Sequence, residues 1–169
     1  FMLWSASELE AIGIYEIVID NSNLKDKEYY MNTQQSFNFA SGTVTASYGT
    51  ATAKPLDDVL WEDGDSDIPA GKSVGDIKTL GIRQGHIDDI NAQAGGILKP
   101  TDWMIVRAAE GGTAVPSSIT TKRAAVRTKA NAMCTQITNA ADVDALAALY
   151  VYNDDTPPVR PLGELPLVD

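Results

Sequence analysis

Apolar and polar positions along the chain change period, and the change divides predicted strands from predicted helices. From Ile14 to Asp20, Tyr15, Ile17 and Ile19 alternate with Glu16, Val18 and Asp20, which predicts a strand with a buried Tyr/Ile/Ile face. Before it, Ser5 and Glu8 have capping-box spacing, so a short helix should start there and stop at Gly13. Tyr29–Asn32 reads as a short strand. Residues 36–40 and 43–48 flank Ser41-Gly42 as a hairpin, and 50–53 reads as a last strand before Pro55.

From Val74 the period lengthens. Ile77, Leu80, Gln84, Ile87, Asn91, Ala94 and Leu98 follow a near-heptad repeat, which predicts a helix that Pro100 should end at Lys99. Gly81, Gly85, Gly95 and Gly96 weaken it, and their small size would let another helix, even one from a second subunit, approach closely. Thr101 is placed to cap a third helix, with Asp102 at its positive end and Gly111-Gly112 after it. Beyond Pro116, Val126, Ala130, Met133 and Ile137 mark one face of a long helix, with Lys122, Arg123, Arg127 and Lys129 mainly off that face. Val143, Leu146, Ala147 and Tyr150 repeat the period. These segments predict a helical hairpin packed around Trp103.

The expected fold class is α+β. A small antiparallel β-domain with a short first helix covers 1–55, an acidic linker 56–73, and a helical hairpin or bundle module 74–152. An extended, proline-rich tail covers 153–169, and its apolar Leu162, Leu165 and Leu167 are placed to lie on a neighbour.

Composition narrows the function more than it names one. The 169 residues are 44% hydrophobic and 21% charged, as in an ordinary globular protein, and no apolar run approaches a membrane span. Phe1-Met2-Leu3-Trp4 is too short for a secretory signal. The net charge is −10, concentrated in residues 1–70, where 3 Lys/Arg face 12 Asp/Glu. Such a surface repels phosphate, so neither nucleic acid nor an anionic membrane is the expected partner. One cysteine, Cys134, excludes an internal disulfide and fits a reducing cytoplasm.

Candidate chemistry is thin. Gly71-Lys72-Ser73 lacks the earlier glycine of a phosphate loop, since Ser66 stands there. Asp63, Asp65 and Asp67 lack the glycine and glutamate of a calcium loop. His86 is the single histidine and is read as a surface residue, and Cys134 as a packed small side chain. No catalytic, metal or cofactor residue is assigned.

Leu98, Pro100, Thr101, Asp102 and Trp103, then Val115-Pro116, then Arg123-Ala124-Ala125-Val126-Arg127, form a pattern. It resembles the C-terminal module of phage tail and tail-fibre assembly chaperones and of small marine-phage proteins. Residues 139–146 and the opening from Ser7 to Tyr15 resemble the same proteins. The resemblance implies a non-enzymatic virion protein of the tail, baseplate or tail-fibre apparatus. Such a protein is made in the host cytoplasm and works as a homo-oligomer or within a larger assembly of tail and fibre proteins. The alternative is a chaperone that binds a fibre protein transiently; an enzyme is the remaining alternative. Asp102, Trp103, Ile105, Val106, Leu162, Leu165 and Leu167 are the candidate partner-binding residues.

Overall fold

A computed structural model describes residues 4–168. Most of the Phe1-Met2-Leu3-Trp4 stretch therefore lies outside the described residues. The fold class is α+β, and the chain divides into two compact units, Phe1–Lys54 and Pro55–Asp169.

In the first unit, α1 (Ala6–Ala11) begins with the expected capping box, Ser5 and Glu8 exchanging side-chain and backbone hydrogen bonds. The strands are β1 (Ile17–Asp20), β2 (Tyr30–Met31), β3 (Gln35–Ala40), β4 (Thr43–Tyr48) and β5 (Thr52–Ala53). β3 and β4 form the predicted hairpin. Ser41 (φ 52°) and Gly42 (φ 79°) both take positive φ, as a two-residue hairpin turn of the primed kind requires. β4 lies between β1 and β3, and it pairs with β1 in parallel, so this sheet is mixed; β2 and β5 pair separately.

Register decides which side chains share a face. Ile17 and Ile19 lie beside Val44 and Ala46, which lie beside Phe39 and Phe37. This face is apolar but for Gln35, beside Tyr48 at its end. The opposite face carries Val18, Asp20, Ser36, Asn38, Ala40, Thr43, Thr45 and Ser47. The expectation that Tyr15, Ile17 and Ile19 are buried fails: Tyr15 is half-buried against Phe39, and both isoleucines are exposed. Among the described residues of this unit, Tyr29 and Ala46 are the buried hydrophobic side chains. A sheet hides an apolar face only under a second layer, and among the described residues of this unit none covers this one.

In the second unit, the stretch read as an acidic linker is structured. β6 (Val59–Leu60) pairs antiparallel with β7 (Ile77–Thr79), where a helix had been expected. From β7, Lys78 stands over the Trp61 ring and 3.0 Å from Asp65 of the hairpin loop. Residues 55–58 then receive the start of α2 (Ile82–Leu98). The amides of Ile82 and Arg83 donate to the Pro55 and Leu56 carbonyls, and that of Gly81 to the Asp58 carboxylate. These bonds satisfy amides that a helix start leaves unpaired. Gly81 is required here, because a Cβ at that position would lie 2.3 Å from the Asp57 carbonyl carbon.

Of the predicted heptad positions within α2, Ala94 is buried, whereas Gln84 and Asn91 are exposed and Ile87 and Leu98 half-buried. His86, Ile90 and Ala94, four residues apart, form the core stripe, and α2 packs on α4 (Ser117–Thr138) of the same chain. His86 is therefore not a surface residue; it is buried with its ring 4.9 Å from that of Tyr150. No atom outside the helix lies within 4 Å of a Cβ built on Gly85, Gly95 or Gly96, so these glycines mark no helix crossing within the chain. On α4 the expected stripe of Val126, Ala130, Met133 and Ile137 is buried throughout. Val143 and Leu146 of α5 (Val143–Ala148) are buried too, with Asp142 as its N-cap. Fully burying each large side chain of this core is worth about 1.5–3 kcal/mol.

Candidate partner-binding surface

The residues of the Leu-x-Pro-Thr-Asp-Trp stretch meet Arg123 in space. α2 ends at Leu98, a 3₁₀ turn spans Lys99–Thr101, and α3 (Asp102–Ala109) follows directly. The tight turn fits Pro100, whose missing amide costs nothing in the first turn of a helix. Arg123 reaches this junction from the first half of α4. Its Nη1 donates to the Leu98 carbonyl at 2.6 Å and to the Thr101 hydroxyl, and its Nη2 lies 2.7 Å from the Asp102 carboxylate. Arg123 is buried, although the sequence had placed it off the packed face. Thr101 also departs from expectation. Its hydroxyl donates to the Leu98 carbonyl, accepts from Arg123 and caps no helix amide. The four residues form an anchored corner between α2, α3 and α4.

α3 leaves that corner with its apolar side chains outward. Trp103 is 54% exposed, so it does not centre the helical hairpin as predicted; its ring lies under the Arg107 guanidinium at 4.8 Å. Ile105 and Val106 are exposed as well. Trp103, Val106 and Arg107 are three and four residues apart and share one side of α3.

The tail is divided. Leu162 is 0% exposed, which removes it from the candidate surface: it packs within its own unit. Its amide donates to the Leu149 carbonyl, and its own carbonyl accepts from Lys129 Nζ at 2.9 Å. Leu165 is half-buried and Leu167 exposed. Arg160 holds the tail's return, paired with Glu164 at 2.8 Å and stacked near the rings of Tyr150 and Tyr152.

No family model matches the chain, and no curated protein or solved structure matches it significantly. Its chemistry is therefore read from its own side chains.

Asp57 bonds Arg83 at 2.6 Å, and the same guanidinium donates to the Ile137 and Thr138 carbonyls at the end of α4. The hydrogen bonds from Arg83 hold the Asp57 carboxyl below the usual aspartate range. Asp65 is lowered by the Glu62 amide and then by Lys78. In both cases the carboxylate is committed to local structure. Burial raises the Cys134 thiol, the opposite of an activated nucleophile. Among the described residues, no group of three or more His, Cys, Asp or Glu side chains is placed to hold a metal ion, and no helix is long and apolar enough to cross a membrane. An open cleft of about 420 Å³ lies between α1 and β1, lined by Leu9, Ile14 and Val18 with Glu10 and Glu16.

Two features escaped the sequence reading. Arg123 is a buried clamp, and its signal was the Thr101-Asp102 pair that needs a cation. The apolar sheet face of the first unit is open, and its signal was the lack of any helix pattern long enough to cover it between Ile14 and Lys54.

Proposed function

We propose that the chain is a structural component of a bacteriophage tail, held in the tail, baseplate or tail-fibre apparatus by protein–protein contacts. The observation that carries this reading is the exposed Trp103, presented with Ile105 and Val106 on a helix whose first residue, Asp102, is bonded to Arg123. Tryptophan and arginine are the side chains most enriched where binding energy concentrates, and a fixed helix loses little freedom on docking. The support for the phage setting is the resemblance of the Leu98–Trp103 and Arg123–Arg127 stretches to tail-assembly proteins. The acidic balance favours a protein neighbour over nucleic acid.

A tail-fibre assembly chaperone is the second reading, since the same residues carry the same resemblance. The two differ in fate: a structural part stays in the particle, and a chaperone leaves. Immunogold labelling of purified particles tests the first reading. Gold at the tail or fibres is the expected result, and unlabelled particles beside labelled infected-cell lysate would favour the chaperone.

A further inference from the structure

We infer that the open apolar face of the β1–β4–β3 sheet is a self-association surface, covered by the same face of a second copy of this chain. Four large side chains surround Ala46 on that face and remain exposed: Ile17 at 51%, Ile19 at 61%, Phe37 at 63% and Phe39 at 56%. Ala46 itself is 1% exposed, so it is shielded at the centre of the patch. Tyr15 extends the face, its ring 4.6 Å from that of Phe39.

Charge and area select the occupant. The face carries no ionisable group except tyrosine hydroxyls, in a chain of net charge −10. A partner offering charged groups would bury them unpaired, which is costly; the covering surface must be flat, apolar and uncharged. This chain carries such a surface on the same face, whereas the α3 ridge is narrow and bears Asp102 and Arg107. The four exposed side chains offer on the order of 500 Å² per copy, so two copies bury about 1,000 Å², near the lower limit for a specific interface. Pairing would also supply the missing second layer, since two sheets facing each other at about 10 Å make an ordinary sandwich core. An isologous pair of this kind closes at two copies.

Two acidic copies repel outside the patch, so added salt screens the repulsion and tightens the pair, whereas a basic partner would be weakened by salt. This inference stands on the sheet alone, whatever assembly the chain joins.

The test is sedimentation of the full chain from about 1 to 100 µM, at low and high salt. The expected result is a reversible shift towards twice the 18.1 kDa chain mass, stronger at high salt. The double variant Phe37→Ser/Phe39→Ser should weaken it by at least about tenfold. Val18→Ser, equally exposed on the opposite face, should leave it unchanged. In the native chain, the Ile17 and Ile19 methyl resonances should move on dilution, which needs no variant to fold. A monomer throughout, a larger closed oligomer, pairing untouched by the double variant, or dilution shifts at Ile105 in place of Ile17 and Ile19 would overturn the inference.

Discussion

Arg123 Nη2 lies 2.7 Å from the Asp102 carboxylate, and Nη1 of the same guanidinium donates inside, to the Leu98 carbonyl and the Thr101 hydroxyl. The two partners are unequal. The Arg123 side chain is 6% exposed and that of Asp102 56%. The ion pair itself is screened by water, whereas the inner bonds are not.

Arg123→Met should therefore destabilise the second unit by about 2–4 kcal/mol, because it removes the charged donor's inner bonds to the Leu98 carbonyl and the Thr101 hydroxyl. Asp102→Asn should cost less than about 1 kcal/mol, since Asp102 faces solvent. Urea unfolding of both variants gives the ratio. Equal costs would mean that the ion pair, not the inner bonds, holds the corner.

Two glycines of the α2 region should respond oppositely to alanine. Gly85 lies inside α2 with open space around it, so Gly85→Ala should stabilise by about 0.5–1 kcal/mol. Gly81→Ala sets a methyl against the Asp57 backbone and should destabilise by about 1–3 kcal/mol. Thermal melts of the pair check the sign of each. A stabilising Gly81→Ala would contradict the docking of residues 55–58 on the start of α2.

Acid should loosen the second unit through Asp57 and Asp65. Both carboxyls titrate below the ordinary aspartate value in the folded chain. The folded state then binds fewer protons than the unfolded one, so their stabilisation is complete above the unfolded value. It is lost as pH falls through the folded one. Melting temperature should drop below about pH 4, and Asp57→Asn should flatten that drop. An acid limb of unchanged steepness in Asp57→Asn would count against the Arg83 contact.

These contacts show which parts of the fold the sequence discloses. The stripe Val126–Ala130–Met133–Ile137 was legible because an unbroken helical period has one reading. The α2 stripe was not: its buried positions include His86, while apolar Ile87 beside it drew the repeat towards the wrong face. β6 was hidden because Val59-Leu60 sits among Asp57, Asp58, Glu62 and Asp63, and acidic runs read as loops. Their use, pairing with Arg83 and capping α2, is non-local. In the candidate site the sequence places Trp103 inside the helical hairpin, whereas it is exposed. Its neighbours decide its exposure, and the Arg123 clamp turns α3 at a junction that periodicity does not describe.

Trp103→Ala should leave the melting temperature within about 2 °C, because the ring is half in solvent and rests on Arg107 alone among the ring contacts described. In the proposed tail role, it should nevertheless reduce recovery of the chain with its partner by more than about tenfold. Loss of stability with partner binding intact would reverse the assignment and make Trp103 a packing residue.

The most direct measurement of the proposed structural role is mass spectrometry with copy-number determination on gradient-purified particles of the proposed source phage. A fixed stoichiometry, as a multiple of the tail's own symmetry, is the predicted result. Absence from the particles, with the chain abundant in the lysate, would contradict a structural role and leave the chaperone.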